Sequence, residues 1–233
     1  MPCTLPASLA DAAVCRSSFH AVLGGEAGEA VFADFSAALQ KAQAEGRILT
    51  ASLFRYENHL FFYAEGLNRP FTPQGLCPAL DAALLPWPPA LGEAAPRPWA
   101  AMQPYFYHDV PTTAADWQQG RCPQRRRGRI ALLPPDSWCS YMEHHLRIVT
   151  EGLVEGDRWH LICVQEGVLF SYLEEPRTNV NIKHRPGAHS PELDAWIAAD
   201  PESHFARFTP EQKAHPDSGH NFVFLPRIAG TED

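Results

Sequence analysis

Leu169-Phe170-Ser171-Tyr172-Leu173-Glu174 repeats, 109 residues downstream, the pattern of Leu60-Phe61-Phe62-Tyr63-Ala64-Glu65. The same displacement lays Ile130-Ala131-Leu132-Leu133 on Ala21-Val22-Leu23-Gly24 with no gap between. Two strand-like segments and the helix between them therefore share one spacing, the mark of a unit of roughly 100 residues written twice.

Working outward, the first copy reads as a strand at Phe19–Leu23, then a helix from Glu29 to Glu45, with Phe32, Phe35, Leu39 and Ala42 on its apolar face and Gly46 as its stop. A hairpin follows, Ile48–Phe54 and Leu60–Glu65 joined by the polar Glu57-Asn58-His59. A short helix near Leu80–Leu85 and a strand at Tyr105-Phe106-Tyr107 complete β-α-β-β-α-β, the ferredoxin-like order. The second copy has a strand at Ile130–Leu133, a helix over 138–154, a hairpin of Arg158–Val164 and Val168–Glu174, a helix at Glu192–Ala199 and a strand at Asn221–Leu225.

Such a unit leaves one sheet face without helices, and that face must be covered. The expected fold class is therefore α+β, two ferredoxin-like βαββαβ repeats packed as an intrachain dimeric α+β barrel. The boundaries read as an N-terminal extension 1–16, a first repeat 17–116, a linker 117–128 and a second repeat 129–233. The proline-rich stretch Leu85–Trp99 reads as a surface excursion, because proline interrupts a helix.

Composition narrows the function. A hydrophobic fraction of 45% and a charged fraction of 20% are those of a folded globular chain. A net charge of −8 argues against a nucleic-acid partner, whose phosphates need clustered Lys and Arg. The run Arg125-Arg126-Arg127-Gly128-Arg129 opposes that balance and reads as part of a solvated linker. No segment has the ~20 apolar residues of a membrane helix, and no basic-then-apolar leader opens the chain, so no membrane partner and a cytoplasmic location are expected. The six cysteines form no C-x-x-C pair and read as reduced thiols.

The two copies differ in chemistry. Tyr141 and His145 stand four apart and share a helix face, which Ile148, Val149 and Gly152 continue. The slide puts Phe32 and Ser36 in their place, so one working site per chain is expected, in the second copy. An imidazole exchanges protons near neutral pH and a phenol fixes a hydroxyl, a combination suited to polyhydroxyl substrates. His144 and His145 point about 100° apart on a helix and do not share an ion. His215 and His220 flank a loop with no further ligands nearby in sequence. Neither a metal motif nor a glycine-rich phosphate loop is present, so no metal and no cofactor are expected.

Arg129–Leu133, Tyr141-Met142-Glu143-His144-His145, Leu169–Glu174, Ala198-Ala199-Asp200-Pro201-Glu202-Ser203-His204-Phe205 and Phe222-Val223-Phe224-Leu225-Pro226 together resemble, in order and approximate spacing, the L-rhamnose mutarotase family. The resemblance covers roughly 129–228 and implies a dimeric α+β barrel that interconvert sugar anomers without a cofactor, as a homodimer or here as an internal pseudo-dimer. It implies His145 as proton donor, with Tyr141 on the substrate. A substrate-touching tyrosine of the family falls near His160, and its sugar-holding tryptophan pair falls on His204 and Phe205. Those positions depart from the family pattern, as does Leu146-Arg147-Ile148-Val149 after the histidine. Trp159 and Trp196 are further candidates for stacking on a sugar.

The expectation that follows is a mutarotase-like isomerase acting on a monosaccharide. Two other readings fit the same residues: a non-catalytic small-molecule-binding or scaffold protein, and a cofactor-free enzyme oxidising aromatic substrates. Polar groups converging on His145 favour the isomerase, a filled apolar interior the scaffold, and a deep aromatic cavity the oxidation.

Overall fold

The computed structural model describes residues 6–179, 182–213 and 217–231. Along the first copy run β1 (Val14–Val22), α1 (Glu29–Ala44), β2 (Ile48–Tyr56), β3 (His59–Leu67), α2 (Pro78–Ala83) and β4 (Ala100–Ala101). Between the copies lie β5 (Gln103–Phe106) and α3 (Ala114–Gln118). The second copy holds β6 (Arg125–Leu132), α4 (Pro135–Glu151), β7 (Val154–Glu155), β8 (Leu161–Gln165), β9 (Val168–Glu175), β10 (Lys183–His184), α5 (Pro191–Ala198) and β11 (Val223–Leu225). The last strand is β12 (Arg227–Gly230).

The chain divides into two compact units. The first comprises 1–102, 111–123 and 226–233. Its antiparallel sheet has the order β12-β2-β3-β1-β4, a ferredoxin-like sheet of β4, β1, β3 and β2 with β12 added beside β2. The second comprises 103–110 and 124–225. Its sheet has the order β11-β6-β9-β8-β5, the same arrangement with β5 added beside β8. The strand expected to close the first copy at Tyr105–Tyr107 thus belongs to the second sheet, and the two-residue β4 closes the first. The pair β7 and β10 forms a separate two-stranded sheet.

Strands reach further than their apolar residues indicate. β1 begins at Val14, inside the expected N-terminal extension, because its polar residues find partners: Arg16 Nε donates to Tyr63 Oη at 3.0 Å and Ser17 Oγ to the Phe71 carbonyl at 2.9 Å. The arginine run is strand as well. Arg127 pairs with Glu175 at 3.0 Å and Asp217 at 2.8 Å, and its guanidinium lies 3.7 Å from the Phe224 ring centre.

Strand register also corrects the slide. Val22 pairs with His59 at the end of β1, and Leu132 with Val168 at the end of β6. The hairpins correspond at a displacement of 109 but the first strands at 110, so Ala131 matches Ala21 and Arg129 matches Phe19. A one-residue slip in a strand moves every side chain to the other face, which is why the difference matters.

In the first unit the sheet face beneath α1 is filled. Phe62, Leu53, Ala21, Phe35, Leu39 and Trp99 form one buried cluster, with the Phe62 ring 5.8 Å from Phe35 and 6.2 Å from Trp99. In the second unit α4 lays Tyr141, His145 and Ile148 against its sheet. It ends at Glu151, where Gly152 takes the left-handed conformation (φ 68°) and donates its N–H to the Ile148 carbonyl. Gly152 therefore stops the helix face it was expected to continue. No helix among the described residues is long and apolar enough to cross a membrane.

Candidate functional site

The second unit contains a cavity of about 410 Å³ between its sheet and the helices α4 and α5. Its origin lies in two positions of the sheet. Arg129 and Ser171 pair across β6 and β9, and Ile162 of β8 pairs with Ser171 from the other side. The matching trio in the first unit is Phe19, Phe62 and Leu53. Where Phe62 fills the space under α1, Ser171 leaves it empty, and where Phe19 packs, Arg129 brings a charge.

Of the residues singled out from sequence, Tyr141, His145, His160 and Phe205 line this cavity. His204 does not: it is buried beside it, with Nε2 3.3 Å from Ser140 Oγ and its ring 5.3 Å from Trp196. Trp196 lines the cavity and Trp159 is buried elsewhere. Ser36, set opposite His145 by the slide, lies in the first unit, where its Oγ accepts from the Gly230 N–H at 3.3 Å. Matched instead by burial along the helix, Phe35, Leu39 and Ala42 are spaced like Tyr141, His145 and Ile148.

His145 is held tightly. Its Nδ1 lies 2.9 Å from the Tyr141 carbonyl, which only accepts, so Nδ1 carries the proton and Nε2 is left with its lone pair. The ring sits 4.2 Å from Tyr141 and meets Phe106 and Trp196 edge-on, each at 4.7 Å. Burial in this aromatic setting lowers the His145 pKa to about 4, with smaller contributions from His144, His204 and His108 and an opposing one from the Tyr141 carbonyl. Near neutral pH the imidazole is uncharged, and its free nitrogen takes a proton rather than gives one. Nε2 thus stands as a proton acceptor, whereas the resemblance implies a proton donor.

The phenols are silent acids. Burial raises the Tyr141 pKa to about 12 despite the Tyr105 hydroxyl and the Arg129 charge, and burial lifts Tyr105 well above its ordinary value. Both stay protonated, and each hydroxyl is able to donate a hydrogen bond. Arg129 stacks its guanidinium 4.3 Å from the Phe222 ring centre. Burial, and then Arg177, lower its pKa to about 10, which leaves it charged at neutral pH.

Several lining residues were not found from sequence. His108 reaches the cavity from the segment after β5, and its ring lies against Gly156, where a Cβ would collide with it. Asp157 is occupied: Arg177 Nε donates to Oδ2 at 3.0 Å and Thr178 Oγ1 to Oδ1 at 2.8 Å. Arg129 had a sequence signal, since Arg125, Arg127 and Arg129 alternate at the strand period. Among the described residues no group of three His, Cys, Asp or Glu is arranged to hold a metal ion. The loop His215–His220 lies partly outside the described residues; within them, His220 Nδ1 stands 2.9 Å from Lys213 Nζ.

No protein-family model matches the chain, and no curated protein does. Among solved structures it is similar to a candidate monooxygenase of Fusobacterium nucleatum subsp. nucleatum, at 10% identity over 95% of each chain and a TM-score of 0.41. It is also similar to a candidate monooxygenase of Lactobacillus acidophilus, at 7% identity over 94% of this chain and 96% of the other, with a TM-score of 0.38. A third, an anthrone oxidase-like protein, matches at 7% identity over 94% and 92%, again with a TM-score of 0.38.

Proposed function

We propose that this chain is a small-molecule enzyme in which His145 removes a proton from an acidic C–H or O–H of a flat, partly aromatic substrate. One observation carries the reading: a neutral imidazole, its Nδ1 tied to a backbone carbonyl, presents the other nitrogen within a cavity walled by Phe106, Tyr141, Trp196, Phe205 and Phe222. The aromatic walls suit an aromatic ligand better than a bare sugar ring. Nε2 accepts the proton as the substrate becomes an enolate or phenolate. The two charges form side by side in a poorly hydrated site, so each stabilises the other. A base positioned in this way contributes typically ~10²–10⁴-fold. The resulting electron-rich anion is the species that an oxidation of an aromatic substrate would begin from.

Anomer exchange of a monosaccharide remains the second reading, supported by the presence of Tyr141, His145, His160 and Phe205 in the one cavity. It uses the same first step, with Nε2 accepting the proton of the anomeric hydroxyl.

NMR separates the two. Hydrogen–deuterium exchange is followed on a panel of enolisable aryl ketones and hydroxyarenes, and anomer exchange on a panel of aldoses. The aromatic reading expects catalysed exchange on the first panel that falls at least 100-fold in His145→Gln, at unchanged melting temperature. Exchange on the aldose panel alone would transfer the assignment to the isomerase, and a His145→Gln variant as active as the parent would remove the enzymatic reading.

A further inference from the structure

Arg129 forms no ion pair among the described residues. Its Nε is buried with no hydrogen-bond partner among the described residues. The two carboxylates of the cavity are engaged elsewhere. Asp157 is held by Arg177 and Thr178, and Glu202 accepts from the Asn221 side-chain amide. Glu202 acts on Arg129 only through its more distant field, as do the Tyr105 and Tyr141 phenols.

A cation drawn out of water with no paired anion costs several kcal/mol, and in the matching position the first unit has an ordinary phenylalanine, Phe19. The strand therefore tolerates an apolar residue there, and the fold does not require the arginine. The guanidinium is also pre-set: stacking on Phe222 fixes its plane while leaving its edge free to form two parallel hydrogen bonds.

We infer that Arg129 is the specificity-determining residue of this cavity and that its ligand carries a permanent carboxylate on an aromatic frame. The inference rests on the reading of the cavity as an aromatic small-molecule site and adds the charge of the molecule it takes. The carboxylate occupies the Arg129 edge over Ser171, the short side chain that provides the room, and the aromatic body lies toward Trp196 and Phe205. A carboxylate bound there also favours the charged imidazole, strengthening His145 as a base once the ligand is in place.

Calorimetric titration of the whole chain with 2-naphthoate and with its neutral counterpart 2-naphthamide tests this. The acid is expected to bind about 10- to 100-fold more tightly than the amide, the worth of a charge-assisted hydrogen-bonded pair. Arg129→Leu is expected to erase that preference, and Arg129→Lys to restore part of it, with thermal melts certifying that each variant is folded. Equal affinity for the two probes, a preference that survives in Arg129→Leu, or no binding of either probe to the parent would each overturn the inference. It fails on binding, whereas the proton-removal reading fails on exchange. A chain that captures 2-naphthoate through Arg129 yet exchanges no proton keeps the former and loses the latter.

Discussion

Ser171 and Phe62 occupy one position of the repeated sheet, and the difference between them accounts for a cavity in one unit and a packed core in the other. Ser171→Phe should fill the cavity from its floor, abolishing uptake of any aromatic probe while costing about 1–3 kcal/mol for overpacking; retained binding in titration would show that the floor lies elsewhere. His145 makes a second test, through pH. Its folded pKa of about 4 lies below the unfolded value near 6.5, so the unfolded chain binds the extra proton between those values. The stabilisation is fully present above pH 6.5 and is lost as pH falls toward 4, by roughly 3 kcal/mol in all. Urea melts across that window should show a shallower loss in His145→Gln than in the parent, and an equal loss would contradict the depressed pKa. Tyr141 and His145 were legible because the helical period is robust to error in its ends. Arg129 was not, because an arginine run reads as a solvated linker unless its alternation at the strand period is weighed.

At the scale of elements, the helices and hairpins follow their apolar period closely, and the strands that escaped are those whose polar residues are satisfied from far along the chain. Glu65 is the strongest instance. Arg121 holds it at 2.7 Å and 3.0 Å, and Tyr63 donates to it at 2.7 Å. Burial pushes its pKa up, but the Arg121 charge and hydrogen bonds outweigh this and bring it below the ordinary carboxylate value. The second unit repeats the motif in Tyr172, which donates to Glu174 at 2.6 Å, with Arg126 at 3.4 Å. Removing one member of such a buried pair leaves an uncompensated charge, so Arg121→Leu should cost about 3–5 kcal/mol. The double change Arg121→Leu with Glu65→Leu should recover most of that in chemical denaturation. A double variant as unstable as the single one would place the cost in lost packing instead. No local sequence pattern announces these pairs, since Glu65 and Arg121 are 56 residues apart.

For the molecule as a whole, the duplication and the ferredoxin-like order were legible, and the fifth strand of each sheet was not. β12 follows β11 of the second copy yet pairs with β2 of the first sheet, and β5 follows β4 of the first copy yet pairs with β8 of the second. Short strands that pair outside their own repeat leave no periodic trace, and the linker reading of 117–128 concealed the start of β6. Thr231 extends the attachment of β12, its N–H and side chain both bonding to Ala51. Removing residues 226–233 should therefore bare the edge of β2 and speed amide exchange along Ile48–Tyr56; unaltered protection there would mean that β12 adds nothing to the sheet. The same strand has a consequence for biosynthesis. A ribosome delivers β2 well before β12, with the whole second copy between them, so the first unit is completed only after the second has been made. Until β12 emerges, the nascent first sheet carries an open edge that invites pairing with other chains, and the yield of native protein should depend on how fast the codons between β2 and β12 are read.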